Sequence, residues 1–409
     1  MIAYHVEERT EWRWWVTPKP LEDKPIHRWY TFPHSFTSEL VHALVDEWSL
    51  GPEDHILDPF VGAGTTLLAA KEKGIPATGY DLSPFAVLVA KTKIANYRLP
   101  RLVEVWGVLK ERLSRPQSAQ VSRIYPELVQ KALPGRLLAG FDMLHRYIEN
   151  LSCSETERCF FRTALLAILP KYSHAVATGG WLKWVNRQTD ATTIPTAFNE
   201  RVETMLRDLG EAKLLRRSLW HVKGADARRL PDRDSTYSAV ITSPPYPNRH
   251  DYTRVFGIEL MLALLNWDET RKLRYQSFQS HPESRPERPV MDGYVPPERL
   301  TKTVEKLSLN GNDPRIPRMI EGYFFDMYIC LREITRISKA GARVAFVVGN
   351  TQYYGEPVMV DELTAEIGEQ AGLTCEKLVA VRYRGNSAQQ MGKYGRKPSR
   401  ESVVIFRRP

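Results

Sequence analysis

Three observations predict an α/β fold, a mostly parallel sheet covered by helices. Short apolar runs alternate with amphipathic ones over residues 36–97; the same alternation resumes near residue 218 and runs to the C-terminus; the block between them, 101–215, breaks it.

In the first stretch, Thr37 or Ser38 caps an amphipathic helix over residues 39–48, and His55, Ile56 and Leu57 form a short buried strand that ends at Asp58 and Pro59. A glycine turn, Gly62-Ala63-Gly64, leads into a helix over 65–73. Residues 77–80 form a second strand ending at Asp81, and Ser83 opens a helix that runs to about Tyr97. Residues 101–215 read as a helix-rich insertion, with Pro134 and Gly135 and the pair Gly179-Gly180 as breaks; the apolar run 164–169 belongs to a core, while Trp181 and Trp184 mark the region around the glycine pair. The second stretch predicts strands at 220–222, 239–241, 343–348, 378–382 and 402–406, with helices at 255–266, 320–337 and 359–371. Residues 271–318, which carry Pro282, Pro286, Pro289, Pro296 and Pro297 among several arginines, read as a long loop of the kind that is functional or disordered. The chain thus divides into 1–100, the inserted 101–215, and 216–409.

At 409 residues, 43% hydrophobic and 26% charged, the chain can bury a large core. Its start, MIAYHVEERTEWRWW, has no basic, apolar and small-residue order of a signal peptide, and no apolar run is long enough to cross a bilayer, so a cytoplasmic protein with no membrane partner is expected. Cys153, Cys159, Cys330 and Cys375 form no CxxC pair or Cys/His array, which points away from a disulfide framework or a structural metal. The net charge of +9 suits a polyanionic partner.

The chemistry concentrates at strand ends. DPFVGAGTT, residues 58–66, lies between a strand and a helix, where glycines let a ligand approach the backbone. Asp81, at the end of the next strand, is placed to accept hydrogen bonds from a ribose diol. Position 67 is Leu where a dinucleotide fingerprint needs a third Gly or Ala, and Asp58 would repel a pyrophosphate. A cationic, phosphate-free adenosine cofactor, S-adenosyl-L-methionine, avoids that repulsion. Asp226, in GADARRL after the third strand, is placed to accept from the adenine amino group.

DPFVGAGTT, Asp81 in GYD, GADARRL and TSPPY at 242–246 together resemble the amino-group DNA methyltransferases, which modify cytosine N4 or adenine N6. HRWYTFPHSFTSELV, residues 27–41, is similar to the segment that precedes the glycine turn in that family and closes the methionine end of the cofactor site. The resemblance covers roughly 27–97 and 218–408, and it implies a target-recognition region, for which the inserted 101–215 is the candidate and 271–318 the other block outside the family's usual order. It implies a Rossmann-like class I fold with a mostly parallel seven-stranded sheet, and S-adenosyl-L-methionine held by Phe32, Ser35, Asp58, Pro59, Phe60, Gly62, Gly64, Thr65, Asp81 and Asp226. Ser243, Pro244, Pro245 and Tyr246 match the family's catalytic motif, whose Ser form is associated with cytosine N4 more than adenine N6.

An exocyclic amine has its lone pair delocalised into the ring and needs acceptors for its protons as it attacks; Ser243 Oγ and the Pro244 carbonyl supply them. Tyr246 stacks on a base that has left the duplex. Methylation of the cytosine ring carbon would require a thiolate, usually in a Pro-Cys pair, and no cysteine here follows a proline. Asn248 is a candidate for the flipped base, Arg249 and Arg254 for phosphate, and the basic loop 382–400, with Arg382, Arg384, Lys393, Arg396 and Lys397, for the DNA backbone. Double-stranded DNA is the expected partner and a cognate restriction endonuclease a candidate one. RNA or guanine-N2 methylation, and a binding-only protein, are the competing readings.

Overall fold

The computed structural model describes residues 4–115, 120–178, 181–212, 214–215, 217, 219–288, 292–385, 395 and 398–409. Twelve strands are described: β1 (Val6–Glu8), β2 (Ile56–Asp58), β3 (Ala77–Asp81), β4 (Ala175–Thr178), β5 (Trp181–Trp184), β6 (Trp220–Gly224), β7 (Tyr237–Thr242), β8 (Ser338–Gly349), β9 (Thr351–Tyr353), β10 (Glu356–Val358), β11 (Thr374–Arg384) and β12 (Ser399–Arg407). Eight form the main sheet in the order β1-β11-β12-β8-β7-β2-β3-β6. Only β12 runs antiparallel to its neighbours, β11 and β8.

The expected seven strands are therefore joined by an eighth. Val6–Glu8 pairs in parallel with Leu378–Ala380 of β11 at the sheet edge. Three residues, two of them glutamates, carry no apolar alternation, so this strand exists only because β11 offers its edge.

Helices α1 (Ser38–Glu47), α2 (Thr65–Lys73), α3 (Pro84–Ile94), α4 (Leu99–Ser114), α5 (Glu127–Ala132), α6 (Arg136–Glu149), α7 (Glu155–Tyr172), α8 (Ile194–Glu211), α9 (Tyr252–Val255), α10 (Gly257–Ala263), α11 (Trp267–Gln276), α12 (Glu298–Asn310), α13 (Arg315–Ile337) and α14 (Val360–Gln370) surround the sheet. Strand side chains alternate between its faces. Ile56, Ala239, Ala345 and Val403 pack under α1 and α2, whereas Leu57, Val240, Val344 and Val404 pack under α12, α13 and α14.

Two expectations give way here. The single helix over 255–266 is broken at Phe256 into α9 and α10. The loop expected at 271–318 is largely helical: α11 covers its start, α12 its second half, and α13 begins at Arg315. The prolines cluster in the connection between α11 and α12, while Leu300 and Leu307 of α12 are buried.

The insertion does not stand apart from the sheet layers. Leu102, Phe141, Phe160, Phe161 and Val202 belong to one buried cluster with Trp29, Tyr30 and Phe32 from the N-terminal segment, Phe85 of α3 and Phe256. Trp29 meets Phe160 edge-on at 5.4 Å, and Asp208 of α8 accepts hydrogen bonds from the Ile26 amide at 3.0 Å and the Trp29 indole at 2.9 Å.

Candidate active site

Parallel pairing of β2 with β3 and β7 brings three strand ends side by side. At the end of β2, Asp58 is fully buried; its Oδ1 accepts from Thr242 Oγ1 at 2.6 Å, at the end of β7, and from the Phe60 amide at 3.1 Å. At the end of β3, Asp81 accepts from the Gly62 amide at 3.0 Å and the Ser83 amide at 2.8 Å, which clamps the glycine turn against the strand. Burial pushes both carboxyls up, each to about 6.

These residues line one wall of a cleft that also takes in Phe32, Ser35, Pro59, Phe60, Gly62, Thr65, Asp226, Ser243 and Pro245. Gly64 stands behind it. A Cβ at Gly64 would lie 3.0 Å from Ala90 of α3, and its φ of 82° is left-handed, so this glycine lets α2 and α3 approach. Pro244 and Tyr246 also lie outside the cleft lining.

Asp226 is already engaged. Arg228 grips its carboxylate with Nε at 2.9 Å and Nη2 at 2.7 Å, and reaches on to Asp326 of α13 at 3.1 Å and the Gln276 carbonyl at 2.6 Å. Each Asp226 oxygen keeps a lone pair for a further donor. This network fixes the end of α11, and Leu273, Ser277 and Phe278 complete that wall of the cleft, Phe278 meeting Phe60 edge-on at 5.6 Å. Sequence reasoning missed this wall. Asp326, a carboxylate in the apolar run Tyr323-Phe324-Phe325-Asp326-Met327, was its one visible trace.

The donor set decides what fits. Asp58, Asp81 and Asp226 face the cleft, its one arginine among the described residues, Arg228, is committed to two carboxylates, and burial holds His34 neutral by pushing it down to about 4. Such a surface repels a pyrophosphate and suits an adenosine carrying a sulfonium and an ammonium group. S-adenosylmethionine matches it.

At the other end, Ser243 Oγ donates to the Val347 carbonyl of β8 at 3.1 Å. The hydroxyl has one proton, so this bond leaves its oxygen as an acceptor, with the Tyr246 hydroxyl within hydrogen-bonding reach of it. Tyr246 packs over Gly349 at the end of β8, where an added Cβ would sit 2.9 Å from its Cε2. Beside it lies Glu401 of β12, nearly buried, ion-paired with Arg382 and Arg384, each at 2.5–2.6 Å. Both arginines expected on DNA are thus held by one carboxylate, although the Arg384 side chain remains 47% exposed. β11 runs parallel to β7 through the intervening pairings, and Glu401 sits opposite Gly349, so the basic loop's flanks lie at the same end of the sheet as Ser243. Lys393, Arg396 and Lys397 fall outside the described residues.

After Tyr246 the chain makes a tight turn. Asn248 Oδ1 accepts from the His250 amide at 3.1 Å; Arg249, at φ 67°, is exposed with its guanidinium 5.9 Å from the Tyr353 ring. Asp251 caps α9 by accepting from the Thr253 and Arg254 amides, and its other oxygen lies 3.6 Å from Arg254 and 2.6 Å from Arg274. Asp251, His281 and Glu283 converge, but Arg274 supplies the positive charge there. His250 meets His34 edge-on at 4.4 Å.

Residues 5–92 match the family model described as DNA methylase. The chain is 30% identical over 461 aligned positions to Type II methyltransferase M.BsoBI of Geobacillus stearothermophilus, covering 99% of this chain and 90% of that one. It is 28% identical to Type II methyltransferase M.AvaI of Nostoc sp., over 95% and 87% of the two chains. Among solved structures, an S-adenosylmethionine-dependent methyltransferase from Methanosarcina mazei aligns with 89% of this chain and 96% of that one, at 8% identity and a TM-score of 0.31. The chain belongs to the amino-group DNA methyltransferases, enzymes that use S-adenosylmethionine.

Proposed function

We propose that this enzyme methylates the N4 amine of a cytosine extruded from duplex DNA, in a restriction-modification setting, a reading its similarity to Type II methyltransferases supports. The observation that carries the reading is Ser243: its only proton is turned onto the Val347 carbonyl while its side chain lines the cofactor cleft. A neutral oxygen that keeps capacity to accept is what an amine needs while it loses electron density to a new bond.

The cofactor, when bound, supplies an electrophilic methyl group. Asp81 takes the ribose, Asp226 the adenine amine, and Asp58 gives negative charge near the sulfonium, while Phe32, Ser35, Pro59, Phe60, Gly62 and Thr65 shape the walls. Gly64 acts through α2 and α3. Ser243 Oγ and the Pro244 carbonyl accept from the amine, Pro245 keeps that corner rigid, and Tyr246, braced on Gly349, offers its ring to the base. Asn248 helps to hold the base, and Arg249 and Arg254 the neighbouring phosphates. Arg382 and Arg384 add to this backbone contact through the parts of their guanidinium groups not occupied by Glu401.

The test is direct. Incubation with methyl-labelled cofactor and duplex DNA, digestion to nucleosides and mass spectrometry should yield N4-methylcytosine. N6-methyladenine as the product would overturn the cytosine assignment, and label in RNA alone would overturn the DNA substrate.

A further inference from the structure

The β4–β5 hairpin is the part of the insertion set against the reacting end of the site. β5 packs on α9, the helix that follows the catalytic corner. Leu182 shares a second cleft with Val255 and Phe256; Ala175, Val176 and Ala177 of β4 line it too, and Tyr30 and Pro33 face them. Phe256 lines the cofactor cleft as well, so a single ring separates the two.

The outward surface of this ribbon is unlike that of a solvated hairpin. Trp184 is 50% exposed on the face it shares with Leu182, Ala175 and Ala177, while Lys183 and Thr178 are exposed on the opposite face. The sequence between Glu157 and Asp190 contains no carboxylate. Its other cations are occupied: Arg158 and Arg162 pair with Glu155 and Glu149, Arg187 holds the Pro170 and Lys171 carbonyls at the end of α7, and Lys171 lies over Tyr172. Lys183 has no carboxylate within ion-pair distance among the described residues.

A ribbon with an exposed tryptophan on one face, an unpaired lysine on the other and no negative charge is suited to a polyanion that also presents flat apolar faces. A two-stranded antiparallel ribbon fits the major groove of a duplex. We infer that the β4–β5 hairpin is the element with which this chain grips the DNA duplex next to the extruded base, Trp184 against a base or sugar from one face of the ribbon and Lys183 on a flanking phosphate from the other. This rests on the DNA methyltransferase reading and adds to it an element that reads or positions the duplex.

Trp184→Ala and Lys183→Ala test it, because both side chains are exposed and their truncation leaves the core intact. The probe is sheared DNA from a methylation-free host with labelled S-adenosylmethionine. Trp184→Ala should raise KM for DNA about tenfold with kcat and cofactor affinity unchanged. Lys183→Ala should reduce the slope of log affinity against log salt by about one. Unchanged KM and slope in both variants would overturn the proposal, as would a Trp184→Ala change in oligomeric state with DNA affinity intact. If the wild-type protein binds cofactor but transfers no methyl to DNA, the enzymatic reading fails; fluorescence anisotropy of the same labelled duplex, wild type against variants, then still decides the hairpin.

Discussion

At one end of the cofactor cleft, Arg228 ties Asp226 to Asp326 and to the Gln276 carbonyl, and Arg288 adds a second guanidinium 2.8 Å from Asp326. At the other end, His34 and His250 meet edge-on, and His34 Nε2 and both His250 ring nitrogens are buried with no hydrogen-bond partner among the described residues. The first end is complete without ligand. The second presents ring nitrogens that no protein group among the described residues meets. The difference makes the cleft asymmetric: the end proposed for adenine is held by ion pairs, and the end proposed for methyl transfer presents imidazole nitrogens without a protein partner among the described residues.

Breaking the complete end should have the largest effect. Asp326 is fully buried and holds Arg228, Arg288 and the Gln279 amide. Asp326→Ala leaves two guanidinium groups short of a partner and is expected to cost about 3–5 kcal/mol of stability in urea unfolding, with weakened cofactor binding. A loss below about 1 kcal/mol would mean that this end is not held by its charges.

The same contrast explains what the sequence made legible. Asp58, Asp81 and Ser243 were readable because each sits where an apolar run stops, and parallel strands must deliver their ends to one edge. The incomplete end was half visible: the SPPY corner is contiguous, but its brace, Gly349, and the Glu401 that gathers Arg382 and Arg384 come from strands far along the chain. The complete end was almost invisible, since Arg228, Asp326 and Phe278 meet only through tertiary folding. Helix α12 was lost to its flanking prolines, although Leu300, Val304 and Leu307 recur at helical spacing.

Gly349 sharpens the comparison from the other side. A side chain there collides with the Tyr246 ring and leaves the Arg228 network untouched. Gly349→Val should therefore lower kcat about tenfold to a hundredfold through misplacement of the ring, while cofactor affinity by calorimetry stays within about twofold. If cofactor affinity collapsed instead, Tyr246 would belong to the cofactor wall and the division between the ends would fail.

The smallest effect is a pH dependence with a definite sign. Burial raises Asp58 and Asp81 to about 6 from 3.8, so in the free chain their contribution to stability is present below the ordinary value and is lost as pH rises through about 6. A cationic ligand reverses the preference, because it gains from the ionised carboxylates. Affinity for S-adenosylmethionine should thus strengthen as pH rises through about 6, by at most about tenfold per pH unit for each proton released. His34, held near 4, stays neutral across that window and leaves the carboxylates to set the slope. S-adenosylhomocysteine lacks the sulfonium charge and should show a shallower dependence in the same calorimetric titration. Equal slopes for the two ligands would show that Asp58 does not sense the charge at sulfur, and would move that carboxylate from the reacting end of the cleft to a purely structural place beneath it.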